Sequence, residues 1–184
     1  MATRQRKEAV TGYLTALSEI TACYAGNVSF VQRSSPDVVD AIVVSPARED
    51  SVPLRDQYGA VRLALAVTLH YVVEEVLNVP AVRTVAYQYV LETTAEPPRE
   101  ILRYDWHPHV EGITFPHLHV LDGFQSRATV NSRSHLPTGF VTIHHALLYA
   151  ERDHNITPLS HQHHHAEKCR LAAHRALIAS LPVE

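Results

Sequence analysis

The sequence predicts a single domain of the α+β class, in which an antiparallel β-sheet meander is packed by an N-terminal helix and two C-terminal helices. Three observations predict it. Residues 61–74 alternate with the period of two that is typical of a strand with one buried face. Four strand-like stretches follow one another with short connections, which favour antiparallel pairing over parallel crossovers. Apolar residues recur at steps of three and four near the start of the chain and again in its last third.

The composition narrows the class of protein. Among 184 residues, 46% are hydrophobic and 19% charged, which suits a globular domain with a real core. A net charge of -3 excludes a global basic footprint for nucleic acid but leaves a local patch open. Two cysteines exclude a disulfide framework and a cysteine-rich zinc site. No apolar run has the length of a membrane span, and the N-terminus lacks the apolar core of a signal peptide. We therefore expect a cytoplasmic protein with no membrane association.

The first sixty residues are expected to form an extension to a core of about residues 61–153. A helix is predicted over Arg4–Tyr24, with a stop at Gly26-Asn27. Its apolar face consists of Val10, Leu14, Leu17, Ile20 and Tyr24. The stretches "SFVQR" and "DVVDAIVVSP" are rich in β-formers and predict a short hairpin. The segment "AREDSVPLRDQYG" is polar and contains a proline, so it is interpreted as a linker or loop.

The central strands have the clearest pattern in the chain. Every odd position from Val61 to Val73 is apolar, which predicts a long strand rather than a helix that would be apolar all round. Three further strands are predicted from "VRTVAYQYVLETT", "EILRYDWH" and "PHLHVLDG", with "AEPPRE" as a turn between the first two.

The C-terminal third is predicted to be a loop followed by two helices. "SRATVNSRSHLPTG" has loop composition, and Thr138 is a suitable N-cap for a helix over residues 139–153. On that helix we expect His144 to be packed or hydrogen-bonded. Ser160 is expected to cap a last, histidine-rich helix within residues 160–182. Its "HQHHH" segment is interpreted as solvated rather than as a metal binder.

Histidine is the unusual residue, with 14 in the chain and most of them between His107 and His174. Strand alternation places Arg103, Asp105 and His107 on one face of their strand, and His117 and His119 on one face of the next. If these strands are antiparallel neighbours, the five polar side chains converge. His109 would lie in the connecting loop, whose prolines at 108 and 116 restrict the backbone.

The motifs "RYD", "PH" and "FPHLH", preceded by "VAYQYV", resemble the TumE-type family, small bacterial and archaeal toxins of toxin–antitoxin pairs. The likeness covers about Val61–Asp122, a third of the chain, and Trp106 and His107 depart from the family pattern. It implies a cognate antitoxin protein as partner and an activity on RNA. The matching positions are Arg103, Tyr104, Asp105, Pro108, His109, Phe115, Pro116, His117 and His119.

Three interpretations of the histidine-rich stretch remain open. In the first, the protein is a metal-independent endoribonuclease that needs no cofactor, with two histidines as general acid and base and an arginine holding phosphate. Its candidate catalytic residues are Arg103, Asp105, His107, His109, His117 and His119. In the second, a non-catalytic metal- or partner-binding protein uses the same face, and His117, His119 and Asp105 hold zinc or another divalent ion. In the third, these are ordinary polar residues, with an Arg103–Asp105 ion pair and histidines bonded to loop carbonyls.

Overall fold

The structure is a computed structural model that describes residues 2–34, 39–44, 50–109, 112–120 and 135–159. It contains a helix at each end of these residues and eight strands between them. The elements are α1 (Ala2–Ala25), β1 (Ser29–Ser34), β2 (Val39–Val44), β3 (Ser51–Arg55), β4 (Val61–Val76), β5 (Val79–Thr93), β6 (Glu100–Trp106), β7 (His117–Val120), β8 (His135–Pro137) and α2 (Ile143–His154). The predicted α+β class, with an antiparallel sheet and an N-terminal helix, is confirmed.

The strands form one antiparallel sheet in the order β1-β2-β4-β5-β6-β7-β8, with β3 also paired to β4. The predicted β1–β2 hairpin and the meander from β4 to β7 are both present. β4 is long enough to accept two partners, β2 along residues 68–71 and β3 along residues 61–66. The β4–β5 hairpin is therefore the centre on which the other strands assemble.

α1 covers one face of this sheet. Leu17, Ile20 and Tyr24 are fully buried, as their periodicity predicts, and the helix contacts β1, β3 and β5. The helix ends where predicted, at Gly26, whose φ of 76° is a left-handed conformation that glycine adopts without a steric penalty. The odd-numbered apolar side chains of β4 from Leu63 to Tyr71 belong to the same hydrophobic cluster as the buried face of this helix.

β3 corrects the prediction of a loop in the segment before β4. Val52 and Leu54 are both fully buried, and Pro53 pairs with Ala64 of β4. The loop prediction was wrong because proline is tolerated in a strand that pairs along one side, where its missing N–H breaks no bond. Burial of two alternate side chains on the hydrophobic cluster then stabilises the strand.

α2 begins four residues later than predicted. Its N-cap is Thr142, not Thr138, and the Thr142 N–H donates to Nδ1 of His145 at 3.2 Å. Thr142 itself is extended, with φ of -93° and ψ of 162°, and the residue before it is anchored because the Val141 N–H donates to the Tyr87 hydroxyl at 3.0 Å. Phe140 packs edge-on against the Tyr87 ring, with centroids 5.3 Å apart. The predicted final helix within residues 160–182 lies outside the described residues.

The hydrophobic core lies between one face of the sheet and the two helices, and draws on α1, β3, β4, β5 and α2. Residues before position 61 thus contribute to the same core as the central strands. The Tyr24 hydroxyl ties α1 to α2 by donating to Glu151 at 2.6 Å. No helix in the described part of the chain has the length and apolar character needed to cross a membrane.

Candidate functional site

The polar side chains of β6 and β7 meet on the sheet face opposite the helices. The two strands are antiparallel neighbours, with Arg103 paired to His119 and Asp105 paired to His117. Directly paired residues project to the same side of a sheet, so the predicted convergence of these four side chains follows from the register. Asp105, His117 and His119 are buried, whereas Arg103 is partly exposed.

The opposite face of β6 packs into the core, as the alternation predicts. Leu102 is buried, and the Trp106 ring contacts Tyr87 and Phe140 with centroids 5.8 and 5.3 Å apart. Since these apolar contacts fix the register and the side on which each residue projects, they also fix the direction of the Arg103 and Asp105 side chains.

A third histidine joins this face through β8. His135 pairs with His119, and Pro137 pairs with His117. The ring centroids of His117, His119 and His135 are 4.2–4.8 Å apart, and one ligand nitrogen from each lies within 4.8 Å of the other two. We call these residues the three-histidine cluster. Nitrogens this close could hold one ion after small movements of the side chains, and imidazole is a ligand for zinc, copper, nickel and iron.

Sequence reasoning missed His135, because it lies in the segment that was interpreted as a loop. That interpretation was wrong for residues 135–137, which form β8. A three-residue strand has too short a pattern to be recognised, and it is held here by pairing with β7. The available signal was the repeat of His-Leu in "HLP" and "HLH", two fragments with the same strand alternation.

The orientation of His117 is set by the backbone next to it. Its Nδ1 lies 2.8 Å from the Phe115 carbonyl oxygen, which can only accept, so Nδ1 is the protonated nitrogen and Nε2 is the one that would bind a metal. A carbonyl contact of this kind is what the interpretation as ordinary polar residues expects. It is also the contact by which metal-binding histidines are usually fixed in one tautomer.

Asp105 lies beside the three-histidine cluster rather than within it. One carboxylate oxygen, Oδ2, is 3.4 Å from Nε of Arg103 and 4.0 Å from Nε2 of His119. The other, Oδ1, is 2.7 Å from Nε2 of His107, although that N–H is not aligned as a hydrogen bond. The structure thus groups Asp105 with Arg103 and His107. The sequence suggested Asp105 as the third ligand beside His117 and His119, but in the structure the third member of the compact cluster is His135.

Arg103 carries the positive charge of this face. Its guanidinium is 3.4 Å from both Asp105 and Glu100, and its buried Nε has no aligned hydrogen-bond acceptor among the described residues. His107 makes an edge contact with the His70 ring at 5.8 Å. His109 is exposed in the connection after β6.

The environment of His119 favours its neutral form. The pKa of His119 is lowered to about 4, mainly by burial and also by Arg103 and the neighbouring rings of His135 and His117, against a smaller opposing effect of Asp105. A neutral imidazole at physiological pH can accept a proton or bind a metal, but it is a poor general acid.

Comparison with known proteins identifies no relative: no protein-family model, no curated protein and no solved structure matches the chain. The likeness of the Arg103–His119 region to TumE-type toxins therefore stays a prediction, and function must be argued from the site itself.

Proposed function

We propose that the protein binds a transition-metal ion, with zinc as the best-suited ion, through His117, His119 and His135. The observation that carries the proposal is the placement of three imidazole nitrogens within 4.8 Å of one another on two paired strands. Two of the rings are buried, so water competes poorly for their nitrogens. Strands provide a rigid frame, which is what a preformed site needs.

The ligand set also indicates which kind of metal site this is. Structural zinc sites are closed by four protein ligands, whereas catalytic sites use three protein ligands and leave a fourth position for water or substrate. Three histidines are one such open set. Asp105 lies 4.0 Å from Nε2 of His119, close enough for its charge to act on the ring but too far for a hydrogen bond. The cluster therefore has the composition of an open site.

The direct test is metal stoichiometry and affinity of the untagged protein. His161, His163, His164 and His165 are first replaced by serine, so that the histidines of the "HQHHH" segment cannot contribute to the measured binding. Calorimetry with zinc and visible spectroscopy with cobalt are expected to give one tight site per chain. The substitution His135→Ala should remove the site. His109→Ala is the matched control, since it removes an exposed histidine from a neighbouring loop and should leave the affinity unchanged.

A second candidate function is RNA cleavage by a toxin-like component of a toxin–antitoxin pair. It is supported by the resemblance and by the contacts that bring Arg103, Asp105 and His107 onto the same face as the three-histidine cluster. A toxin of this kind would have a cognate antitoxin as partner.

Growth after induced expression tests this second function. Arrest by the wild type and none by a His117→Ala/His119→Ala double variant would support it, and degraded RNA in the arrested cells would identify the substrate. A metal-independent enzyme would keep cleaving RNA in the presence of a chelator. Arrest by both proteins alike would rule out catalysis by this face.

A further inference from the structure

The groups next to the three-histidine cluster carry an unbalanced set of charges. Arg103 supplies one positive charge, and two carboxylates, Asp105 and Glu100, lie 3.4 Å from its guanidinium. With the histidines neutral, this group has a net charge of about -1. A divalent ion on the cluster would change the net charge to about +1. The face would then attract an anion that it repels in the metal-free protein.

We propose that the metal-loaded cluster binds a phosphate group, with one oxygen on the open position of the ion and others on the Arg103 guanidinium. The proposal rests on the metal site proposed above. It adds the chemical class of the ligand, a phosphate ester, and a condition, since binding requires the metal.

The placement of Arg103 carries this inference. It is paired with His119, so its side chain rises from the sheet next to a cluster member and on the same side. Its buried Nε faces Asp105 Oδ2 at 3.4 Å without hydrogen-bond alignment, so the guanidinium is only partly satisfied and gains from a further acceptor on its other donors. A guanidinium presents a planar set of N–H donors that matches phosphate oxygens.

The contacts of Arg103 with carboxylates also fix its role. Asp105 is buried and rigid within the sheet, and it holds the guanidinium beside the cluster by an attraction at 3.4 Å. Glu100 is more exposed and can release the guanidinium at small cost. An incoming phosphate can thus bind the terminal N–H groups that Glu100 releases, while Nε of Arg103 stays beside Asp105.

Binding of the two ligands must then be coupled. If the ion raises the affinity for phosphate, phosphate raises the affinity for the ion by the same factor. For a phosphate that contacts both the ion and a guanidinium, we expect a factor of about 10, within the range common for coupled sites.

The experiment measures this factor with phenyl phosphate as the probe. The protein with the "HQHHH" histidines replaced by serine is titrated with cobalt, with and without the probe, and the visible absorbance gives the apparent affinity. Arg103→Gln should bind cobalt with an unchanged spectrum and lose the roughly 10-fold enhancement. Arg103→Lys should keep part of it. Arg99→Gln, which removes an exposed arginine of the preceding turn, is the matched control and should keep it all.

Thermal unfolding of each variant shows whether the fold is intact. Free probe also binds cobalt weakly, and this effect cancels when the enhancement in the wild type is divided by the enhancement in Arg103→Gln. Absence of cobalt binding by the wild type would overturn the metal site itself. Cobalt binding without any effect of the probe would overturn the phosphate inference and leave the metal site standing. An equal enhancement in Arg103→Gln would overturn the role of Arg103, and an equal enhancement by acetate would overturn the choice of phosphate.

Discussion

Replacement of Asp105 by asparagine tests whether the buried carboxylate organises the site face. The substitution keeps the shape of the side chain and removes its charge. The residue is only 8% exposed, and its oxygens face Arg103 at 3.4 Å and His107 at 2.7 Å. Loss of the charge therefore leaves a half-buried guanidinium with Glu100 as its remaining acidic neighbour.

The expected cost follows from distance and burial. Two unit charges 3.4 Å apart attract by about 5 kcal/mol at an effective dielectric constant of about 20. Desolvation of both groups cancels much of this attraction, so we expect Asp105→Asn to lower the free energy of unfolding by about 2 kcal/mol. Glu100 lies at the same distance from Arg103 but its side chain is 39% exposed. In a water-like dielectric the attraction is about 1 kcal/mol, and Glu100→Gln should cost less than that.

Urea unfolding of the metal-free protein at neutral pH measures both values under identical conditions. The pair of variants is matched, since each removes one carboxylate from the same arginine and leaves an amide. An equal loss in the free energy of unfolding for the two substitutions would show that burial of Asp105 does not determine how much its carboxylate stabilises the fold. A stability of Asp105→Asn equal to that of the wild type would refute the assignment of Asp105 as the organising charge.

Three further predictions concern the fold. Leu54→Ala should lower the free energy of unfolding by about 2–5 kcal/mol, because it leaves a cavity where the fully buried β3 side chain was. In the same urea assay, Val31→Ala at an exposed position should lower it by less than about 1 kcal/mol. Burial raises the pKa of Tyr13 and of Tyr87 from 10.0 to about 12, so the stability that these neutral phenols provide should be complete below pH 10 and lost as the pH rises towards 12. Ultraviolet titration of phenolate should show late ionisation that coincides with unfolding. Ionisation of both phenols near pH 10 in the folded protein would contradict this prediction. Leu77→Asn should raise the midpoint of thermal unfolding by a few degrees, since Leu77 is 92% exposed and has a φ of 52°, a conformation that asparagine tolerates better. An unchanged or lower midpoint would show that the turn stores no strain.

Strand alternation was enough to predict the arrangement of β4 to β7. It separated the polar and apolar faces of β6 correctly, and short connections correctly indicated antiparallel neighbours. Together these placed Arg103, Asp105, His117 and His119 on one surface. Such residues are predictable because their direction depends on a local pattern and on one pairing.

Features that depend on distant partners could not be predicted in this way. β3 contains a proline and only two buried apolar positions, and its strand form comes from pairing with β4. The chain at the start of α2 is anchored by Tyr87, which lies far away in sequence and accepts a hydrogen bond from the Val141 N–H. His135 joins the three-histidine cluster because β8 lies against β7, and the His-Leu repeat in "HLP" and "HLH" does not by itself show that the two fragments pair.

The position of His135 on β8 gives the proposed ion a mechanical role. β8 has three residues and one described strand partner, whereas His117 and His119 belong to a strand anchored on β6. An ion shared by the three rings would cross-link the last described strand of the sheet to the one before it, with a gain in stability of the kind that cross-links give. Removal of the ion would then loosen the edge of the sheet, and susceptibility to proteases near β8 would report how much of the cluster is loaded.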